Sequence, residues 1–495
     1  MSMKTKNWGK VYLIMLLVWI PFFGSAKKNN VTIYPMPRGE KISTEYAVSV
    51  AGRDVPVYIA KVAPLDKRKR WDAMDKRQCG EGYYDIASFA YFDLNEGKAK
   101  ITVTVPEQID SVKVLPSSYG IKPDIKGNKL SFTVSSPQNL TIEVNGEWIR
   151  SLHLFVNGPE QNIPDPNDPN VIFYGPGIHE ITHVEVGDNK TVYVAGGAVV
   201  RLTIGADEPF HVSKFGLKGY SKAFWLKGNN ITFRGRGILD ASACTVHSRH
   251  MIGVRGENIR LEGVILRDAP LWTVPVDCSK NVVIDNIKLL GRRANSDGID
   301  ICSSENVLIK NCFIRTLDDL IVLKTPRGMK DMKHIRVEKC VLWNQMAHSL
   351  SIGAEITQPI DDVLFTDCDI IHDIGREWAL RVYHTDKALV TNVRFEDIRI
   401  EECNRLMSVW IGKDVWTTDP EPGRIDGVTF RNITAFGKTP NVEVVGFDEM
   451  HKAKNILFEN IRVNGRSLIK DDVSVNKYSD NVMVKKGYSV NVPKK

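Results

Sequence analysis

One short pattern recurs nine times between residues 230 and 458 of this 495-residue chain. Each copy usually opens on Asn, and its second and fourth positions are apolar and branched or aromatic, as in Asn258-Ile259-Arg260-Leu261. Successive copies begin 28, 23, 25, 28, 28, 30, 35 and 28 residues apart. Apolar residues at every second position are typical of a β-strand with one buried face. A strand that returns at such intervals indicates a repeat protein, in which each unit packs on its neighbours.

Two further positions continue the repeat and are apolar in every copy from residue 258 onward. Six residues after the start stand Val264, Ile287, Cys312, Cys340, Cys368, Ile398, Ile433 and Ile461. Eight residues after it stand Leu266, Leu289, Ile314, Leu342, Ile370, Ile400, Ala435 and Val463. The interval is too short for a strand, a helix and their loops, so each repeat is predicted to form one coil of a right-handed parallel β-helix. A bend is predicted where polar residues precede the first ladder, at Asn286, Asn311, Asp367, Asp397, Asn432 and Asn460.

The chain contains eight cysteines, which in an exported protein would suggest disulfides. Cys312, Cys340 and Cys368 occupy ladder positions that hold branched apolar residues in other coils, so they are interpreted as small buried apolar residues. A bridge between stacked coils also stays open, because strands about 4.8 Å apart lie within disulfide reach. No Cys and His spacing resembles a metal site, and we expect neither a metal nor another cofactor.

The first 26 residues resemble a secretory signal peptide. Lys4, Lys6 and Lys10 form a basic region before an apolar stretch over residues 11–23, and small residues follow at 24–26. This stretch is shorter than the roughly 20 residues of a membrane-spanning helix, and no later segment is long and apolar enough to span a membrane. The mature protein is therefore expected to be periplasmic or extracellular.

Residues 27–165 show a different pattern, in which short alternating segments such as 100–105 and 130–134 are separated by turn residues. This pattern predicts a β-sandwich domain, with a linker near residues 162–169 and the β-helix domain over 166–495. The predicted fold class is therefore all-β, a right-handed parallel β-helix preceded by an N-terminal β-sandwich domain. The formal charge of +7 is spread along the chain, which does not indicate a nucleic-acid partner. We expect a monomer.

Acidic, basic and aromatic residues share one sector of five consecutive coils. They stand 12 to 21 residues after the start of their repeats and are Asp297, Asp318, Asp319, His348, Arg381, Tyr383 and Trp410. Such a sector forms a groove along the helix axis, which suits a polysaccharide or oligosaccharide substrate. Since adjacent strand residues face opposite ways, at least one of Asp318 and Asp319 must lie at a bend if both serve the groove.

Three neighbouring carboxyls suit the hydrolysis of a glycosidic bond, which needs one protonated acid and one carboxylate that activates water. Clustered carboxyls raise each other's pKa, so that one can keep its proton. Inverting enzymes hold the two groups roughly 6.5–9.5 Å apart, a distance that side chains on neighbouring coils can span. Each residue also has an ordinary structural explanation, such as a solvated turn, a hydrogen-bonded histidine, an ion pair or packing. Their shared sector is what favours a site.

Several segments resemble the core of glycoside hydrolase family 28, the polygalacturonases. They are Asn-Ser-Asp-Gly-Ile-Asp at 295–300, Asp-Asp-Leu-Ile-Val-Leu-Lys at 318–324, Ala-His-Ser at 347–349 and Arg-Val-Tyr at 381–383, within a resemblance over about residues 170–465. The resemblance implies that Asp318 is the general acid and that Asp297 and Asp319 hold and activate the water. It further implies that His348 tunes or orients the acid, that Arg381 binds the sugar near the scissile bond, and that the anomeric centre is inverted without a metal. Asn295, Tyr383 and Trp410 are taken as further substrate-binding residues.

The resemblance has departures that bear on the substrate. Leu317 replaces a glycine before the Asp pair, and the glycines around His348 are replaced. Tyr383 stands where the family's lysine contacts a galacturonate carboxylate. Family 49, the dextranases and isopullulanases, is similar in combining a β-helix with an N-terminal β-sandwich. A pectic, galacturonan-type substrate is therefore the first expectation, and a neutral glucan or another glycan stays open.

Two other classes of protein remain as alternatives. A polysaccharide lyase would bind calcium with an acid cluster and abstract a proton with a basic residue, so a chelator would abolish its activity. A non-catalytic carbohydrate-binding β-helix would bind its glycan unchanged after Asp318→Asn. Endo or exo action and the role of the sandwich are not indicated by the sequence.

Overall fold

The computed structural model describes residues 30–64, 84–213, 216–437 and 441–487. The predicted signal peptide lies outside these ranges. Within them the regular secondary structure consists of β-strands and two short 3-10 helices, Ser117–Tyr119 and Lys470–Asp472. No helix in the described ranges is long and apolar enough to cross a membrane. The prediction of an all-β fold is confirmed.

The N-terminal part consists of two sheets that enclose a common apolar core. The strands of one sheet are Val31–Thr32, Tyr58–Val62, Asp85–Leu94, Val112–Leu115, Gln138–Val144 and Glu147–Asn157. Those of the other are Ala47–Val50, Arg53–Val55, Ala99–Thr104, Asp124–Lys126 and Lys129–Val134. Two facing sheets with their apolar side chains between them form the predicted β-sandwich.

Pro56 interrupts a segment, residues 55–59, that the alternation predicts as one strand. Before it, Arg53–Val55 pairs with Ala47–Val50, whereas after it Tyr58–Val62 pairs with a strand of the other sheet. Proline has no amide hydrogen to donate to a ladder, so the chain crosses from one sheet to the other at this residue.

Two long strands at the centre of one sheet are not indicated by the sequence pattern. Asp85–Leu94 and Glu147–Asn157 pair in parallel with each other. Nearly all residues of the first strand and most of the second are buried. Burial on both faces removes the alternation from which a strand is recognised.

The β-helix has three faces. The first contains Val171–Tyr174, Thr191–Val194, Ile231–Gly235, Glu257–Glu262, Lys280–Asp285, Glu305–Lys310, Met332–Glu338, Ile360–Thr366, Leu389–Glu396, Arg424–Gly437, Ala453–Val463 and Ser479–Lys485. The second contains the later parts of Arg424–Gly437 and Ala453–Val463, which run on from the first face, together with Gly177–Ile181, Ala198–Leu202, Ile238–Asp240, Ile265–Arg267, Lys288–Leu290, Phe313–Thr316, Val341–Asn344, Asp369–Asp373 and Arg399–Cys403. The third contains Val184–Val186, Phe224–Lys227, Ile252–Arg255, Val274–Asp277, Ile299–Cys302, Ile321–Thr325, Leu350–Ile356, Leu380–His384, Met407–Ile411, Val442–Val445 and Val473–Val475. Two short elements lie outside the faces, the hairpin Phe210–Val212 with Lys218–Tyr220 and the strand Arg466–Ser467.

The register of the coils follows the repeat. Ile259 pairs with Val282, Val282 with Val307, and Val307 with Ile335, and all four side chains point into the common core. The six polar residues predicted to bend the chain all have φ between 50° and 57°, a left-handed conformation that Asn and Asp tolerate better than most residues. The three ladder cysteines are buried and unbridged, as expected for small apolar residues.

The sandwich packs on the second face of the β-helix. Phe89 and Phe155 of the sandwich share a buried apolar cluster with Phe313 and Trp343 of that face. Polar contacts join the same surfaces, among them Arg236 Nε, which donates to Asp93 Oδ1 at 3.0 Å. The predicted site residues belong to the third face and to the bends that lead into it.

Candidate active site

Five predicted site residues occupy the same corner of three consecutive coils, the bend that leads into the third face. They are Asn295, Asp297, Asp318, Asp319 and His348. Main-chain hydrogen bonds stack this corner, because Gly298 N donates to Asp319 O at 2.7 Å and Leu320 N donates to His348 O at 2.9 Å. A Cβ atom at Gly298 would lie 2.3 Å from Leu320 O, so only glycine allows this close approach.

The other predicted residues follow on the strands of the third face. Arg381 and Tyr383 lie in Leu380–His384, and Trp410 lies in Met407–Ile411 directly opposite Tyr383. Their side chains leave the core on one side because they alternate with the inward-facing Val382. The structure thus brings all eight predicted site residues to one groove.

Asp297, Asp318 and Asp319 form a tight cluster in which one carboxylate oxygen of each lies within 4.8 Å of the others. The expected bend is present, since Asp318 and Asp319 lie between the strands Phe313–Thr316 and Ile321–Thr325. The closest oxygens are nearer than the roughly 6.5–9.5 Å that commonly separates the carboxyls of inverting enzymes. Asn295 Nδ2 donates to Asp318 Oδ2 at 3.5 Å and so adds an amide to the cluster.

The environments of the two adjacent acids separate their pKa values. Burial, together with the charges of Asp297 and Asp319, raises the pKa of Asp318 well above its ordinary value. Burial also raises the pKa of Asp319, but interaction with His348 and Lys324 outweighs it and leaves that pKa lowered. Asp319 is therefore the carboxyl that ionises first, and Asp318 is the one that retains a proton.

His348 connects Asp319 to Arg381. Nδ1 of His348 lies 2.7 Å from Asp319 Oδ1, and Nε2 lies 3.1 Å from Arg381 Nη1. Arginine can only donate, so Nε2 accepts, and Nδ1 carries the proton that is donated to Asp319. The ring orientation of His348 is thus defined by a contact at each nitrogen.

The bend that carries His348 is held by a buried carboxyl on the next coil. Ser349 Oγ donates to Asp373 Oδ2 at 2.7 Å, and Asn344 Nδ2 donates to the same oxygen at 3.1 Å and to Ala347 O at 2.5 Å. Burial raises the pKa of Asp373 to about 7. This network fixes the main chain on both sides of His348.

Lys324 and Asp300 belong to the site but are not among the residues predicted from the sequence. Lys324 Nζ lies 3.2 Å from Asp297 Oδ2 and 2.9 Å from Asp300 Oδ1, and it packs 4.1 Å from the ring centre of Trp272. Burial and the Asp300 charge raise the pKa of Asp297, which Lys324 opposes. In the sequence, Lys324 directly follows the apolar residues Ile321-Val322-Leu323, and a lysine at the end of a buried strand could have indicated a site residue.

Glu377 is a third residue of the site that was not predicted from the sequence. Its Oε2 accepts from Arg381 Nη1 at 2.8 Å and lies 3.9 Å from His348 Nε2. The Arg381 guanidinium also packs on aromatic rings, 3.8 Å from the centre of Tyr383 and 4.6 Å from that of Trp378. Arg381 is therefore held rigidly beside the acid cluster.

A cavity of about 380 Å³ opens next to the acids on the N-terminal side of the groove. Its lining includes Asn295 and Trp272 from the site, and Glu355 and Trp416 from later coils. Walls that combine polar and aromatic side chains suit a sugar ring, which presents hydroxyl groups at its edge and C–H groups on its faces.

The three clustered carboxylates are also a donor set of the kind that binds Ca²⁺ or Mg²⁺. Lys324 already supplies a positive charge 3.2 Å from Asp297, and the raised pKa of Asp318 opposes its use as an anionic ligand. The arrangement fits proton transfer between carboxyls and substrate better than it fits a divalent cation.

Residues 228–488 match the model of glycosyl hydrolases family 28. A protein named as a probable endopolygalacturonase D from Neosartorya fischeri is 24% identical over 308 residues, which cover 57% of this chain and 58% of the relative. The endo-polygalacturonase of Pectobacterium carotovorum is 25% identical over 189 residues, which cover 37% of this chain and 43% of the relative. The similarity thus spans about half the length of these relatives.

Two solved structures share the fold. An exopolygalacturonase from Thermotoga maritima superposes with a TM-score of 0.52 and 18% identity over 64% of this chain and 83% of that one. Dex49A from Penicillium minioluteum superposes with a TM-score of 0.60 and 12% identity over 92% of this chain and 96% of that one. The second alignment covers most of both chains, as the predicted layout of a sandwich before a β-helix implies.

Proposed function

Because the chain belongs to glycosyl hydrolases family 28, we propose that it is a glycoside hydrolase that cleaves a pectic, galacturonan-type polysaccharide by acid and base catalysis. The observation that carries this proposal is the pair of adjacent carboxyls with opposite pKa shifts, raised at Asp318 and lowered at Asp319. One carboxyl that keeps its proton more readily and one that releases it more readily are what the hydrolysis of a glycosidic bond requires.

In this proposal Asp318 donates its proton to the leaving oxygen. Asp319, ionised and oriented by His348, accepts a proton from the attacking water, and Asp297 binds that water. Asn295 donates to Asp318, and Arg381 binds the sugar on the leaving-group side. Tyr383 and Trp410 contribute aromatic surface to the same side of the groove.

We propose inversion of the anomeric centre, with water as the direct nucleophile. Two carboxyls beside Asp318 offer two acceptors for one water, although the closest oxygens of the cluster lie within only 4.8 Å. The first-formed anomer decides the question and is measured by proton NMR during the first minutes of hydrolysis. A product with the configuration of the substrate would show retention and would assign one carboxylate as a covalent nucleophile.

The test of the proposed activity is the release of reducing sugar by the mature protein in the presence of EDTA. The substrates are polygalacturonate, oligogalacturonides and dextran, and the variant is Asp318→Asn. We expect release from a pectic substrate and a loss of about 10²–10⁴-fold in the variant. Asp362→Asn is the matched control, because this Asp lies on the first face and is 43% exposed.

The outcomes separate the competing classes. Activity on dextran alone would assign a neutral glucan. Activity that EDTA abolishes, with an unsaturated product, would assign a lyase. Binding without cleavage that persists in Asp318→Asn would assign a carbohydrate-binding protein.

We also propose export after removal of residues 1–26, a division into domains at 27–165 and 166–495, and a monomeric state. The basic and apolar pattern at the N-terminus supports export. N-terminal sequencing of the mature protein from the periplasm or medium tests the cleavage, and light scattering after size exclusion tests the state of association.

A further inference from the structure

The groove on the Arg381 side of Asp318 is rich in carboxylates. We call it the Arg381 subsite and define it by Glu377, Arg381, Tyr383, Trp410, Asp414 and Glu443. The charges that act on the Arg381 guanidinium come from Glu377, Glu443, Asp319 and Asp414. Glu377 Oε2 accepts from it at 2.8 Å, and the arginine is 6% exposed. The positive charge of Arg381 is therefore already balanced before a substrate binds.

A second layer of the subsite adds to its negative charge. Ser408 lies opposite Arg381 in the parallel ladder, and its Oγ donates to Glu443 Oε1 at 2.7 Å. This hydrogen bond orders the Glu443 side chain, which lies one coil after the coil of Trp410. A ligand carboxylate in this subsite would meet several like charges in a partly buried groove, where they are screened less than at an open surface.

The other component of the subsite is aromatic. The rings of Tyr383 and Trp410 lie 5.3 Å apart between centres and are both half-buried. A Cβ atom at Gly412 would lie 2.1 Å from the Trp410 ring, so the indole covers the main chain at this glycine. Two neighbouring rings held in this way present a fixed apolar surface, which suits the C–H face of a pyranose.

Further positive charge lies at the edge of the subsite. Arg405 is exposed and packs 4.5 Å from the Trp378 ring centre, and Arg376 Nε lies 3.5 Å from Glu377 Oε1. Arg405 packs on Trp378, whereas the Tyr383 ring packs on Arg381.

We propose that the Arg381 subsite binds an uncharged pyranose, which is either a neutral sugar or a uronate whose carboxyl is esterified. The inference rests on the proposed function and adds to it the class of sugar on the leaving-group side. Stacking on Tyr383 and Trp410 supplies the affinity, and Glu377, Asp414 and Glu443 reject a free carboxylate.

The test compares kcat/KM for three oligosaccharides of equal length with the full mature chain. They are a de-esterified oligogalacturonide, the same compound fully methyl-esterified, and an alternating galacturonate–rhamnose oligomer. We expect kcat/KM for either the methyl ester or the galacturonate–rhamnose oligomer, whichever is the better substrate, to exceed kcat/KM for the de-esterified compound by at least about tenfold. The methyl ester and the rhamnose arms distinguish the two sources of an uncharged ring.

Variants assign this selectivity to the subsite. Tyr383→Lys introduces a cation and should raise the relative kcat/KM for the de-esterified substrate by about tenfold. Glu377→Gln removes one repelling carboxylate and should shift the ratio in the same direction, even if the lysine variant folds poorly. Tyr383→Phe keeps the ring without a new charge and should leave the ratio unchanged.

The outcomes distinguish this inference from the proposed function. A wild-type protein that prefers the de-esterified substrate would overturn the inference and leave the hydrolase standing, as would unchanged ratios in both charge variants. A folded protein that cleaves none of the three would overturn the pectic substrate, and the inference with it.

Discussion

Replacing Lys324 with Met removes the cation on which two buried carboxyls depend. Lys324 is 5% exposed, and its ammonium lies 3.2 Å from Asp297 Oδ2 and 2.9 Å from Asp300 Oδ1. The other oxygen of each carboxyl is buried and has no hydrogen-bond partner within the described part of the chain. Removing one partner of a buried ion pair costs about 3–5 kcal/mol, so we expect a loss of stability in this range at neutral to alkaline pH.

The loss should depend on pH in a defined direction. Burial raises the pKa of Asp300 to about 7 although Lys324 opposes the shift. Above its ordinary value of 3.8 the folded protein holds a proton that the unfolded chain has released, so stability falls as the pH rises. In the wild type this fall ends near pH 7, where Asp300 ionises beside Lys324. In Lys324→Met no ammonium stabilises the ionised Asp300 carboxylate, so the free energy of unfolding continues to fall above pH 7.

The assay is thermal unfolding of wild type and variant at intervals from pH 5 to pH 8.5. The difference in Tm should be small at pH 5 and should widen above pH 6. Lys324→Met combined with Asp300→Asn should recover part of the loss, because one of the two buried charges is then absent. Lys333→Met is the matched control, since this lysine is 50% exposed and lies 3.8 Å from Glu305, and exposed pairs contribute about 0–1 kcal/mol. A loss that is the same at every pH would refute the reasoning.

Three further predictions concern the acids and the sandwich contact. Asp318→Asn should regain most of its lost rate on a substrate with an activated aryl leaving group, which needs no proton, whereas Asp319→Asn should remain slow; equal rescue of both would contradict the assigned roles. His348→Ala should move the acidic limb of the kcat/KM profile to higher pH by at least about one unit, because the interaction that lowers the pKa of Asp319 is lost; an unmoved limb would exclude this coupling. Burial lowers the pKa of Lys288 to about 7, so the unfolded chain binds a proton that the folded chain lacks between about pH 7 and 10. Wild-type stability should rise across that window by at most about 5 kcal/mol relative to Lys288→Met, and parallel curves would show that this lysine stays charged.

The β-helix follows from the sequence because its stabilising contacts lie between equivalent positions of successive repeats. Phe365, Phe395, Phe430 and Phe458 stack with ring centres 4.8 to 5.1 Å apart, and each occupies the fourth position of its repeat. A position counted from the start of a repeat therefore predicts both burial and register. The same count places the predicted acids and His348 at one corner.

The remaining site residues depend on contacts that the repeat does not encode. Glu377 lies in the bend between the strands Asp369–Asp373 and Leu380–His384, which is longer than the corresponding bends of the two neighbouring coils. Trp416 lies in the longest coil interval and reaches a cavity that Asn295 also lines. The position of a residue within its repeat predicts the side of the coil on which its side chain lies. It does not predict how far a loop extends along the groove.

The packing of the sandwich on the β-helix is likewise not predicted by the sequence pattern. Lys288 and Arg315 occupy outward positions of the second face, where charged residues predict exposure, yet both are almost completely buried. Asn157 and His153 of the sandwich contact them at 2.5 and 3.0 Å. Only the packing of the sandwich on the β-helix, which no local pattern specifies, explains their burial.

Asp297, Asp319 and His348 lie at one stacked corner, so the spacing of the coils fixes the position of each side chain along a substrate bound in the groove. Neighbouring coils are spaced by main-chain hydrogen bonds at about 4.8 Å, so a side-chain substitution changes what a position recognises but not where it lies along the bound chain. Shifting a position along the axis would need a whole coil to be gained or lost. One coil inserted between Asp319 and His348 would preserve the ladders on both sides and still abolish the proposed catalysis, because the histidine would lie one coil too far from Asp319.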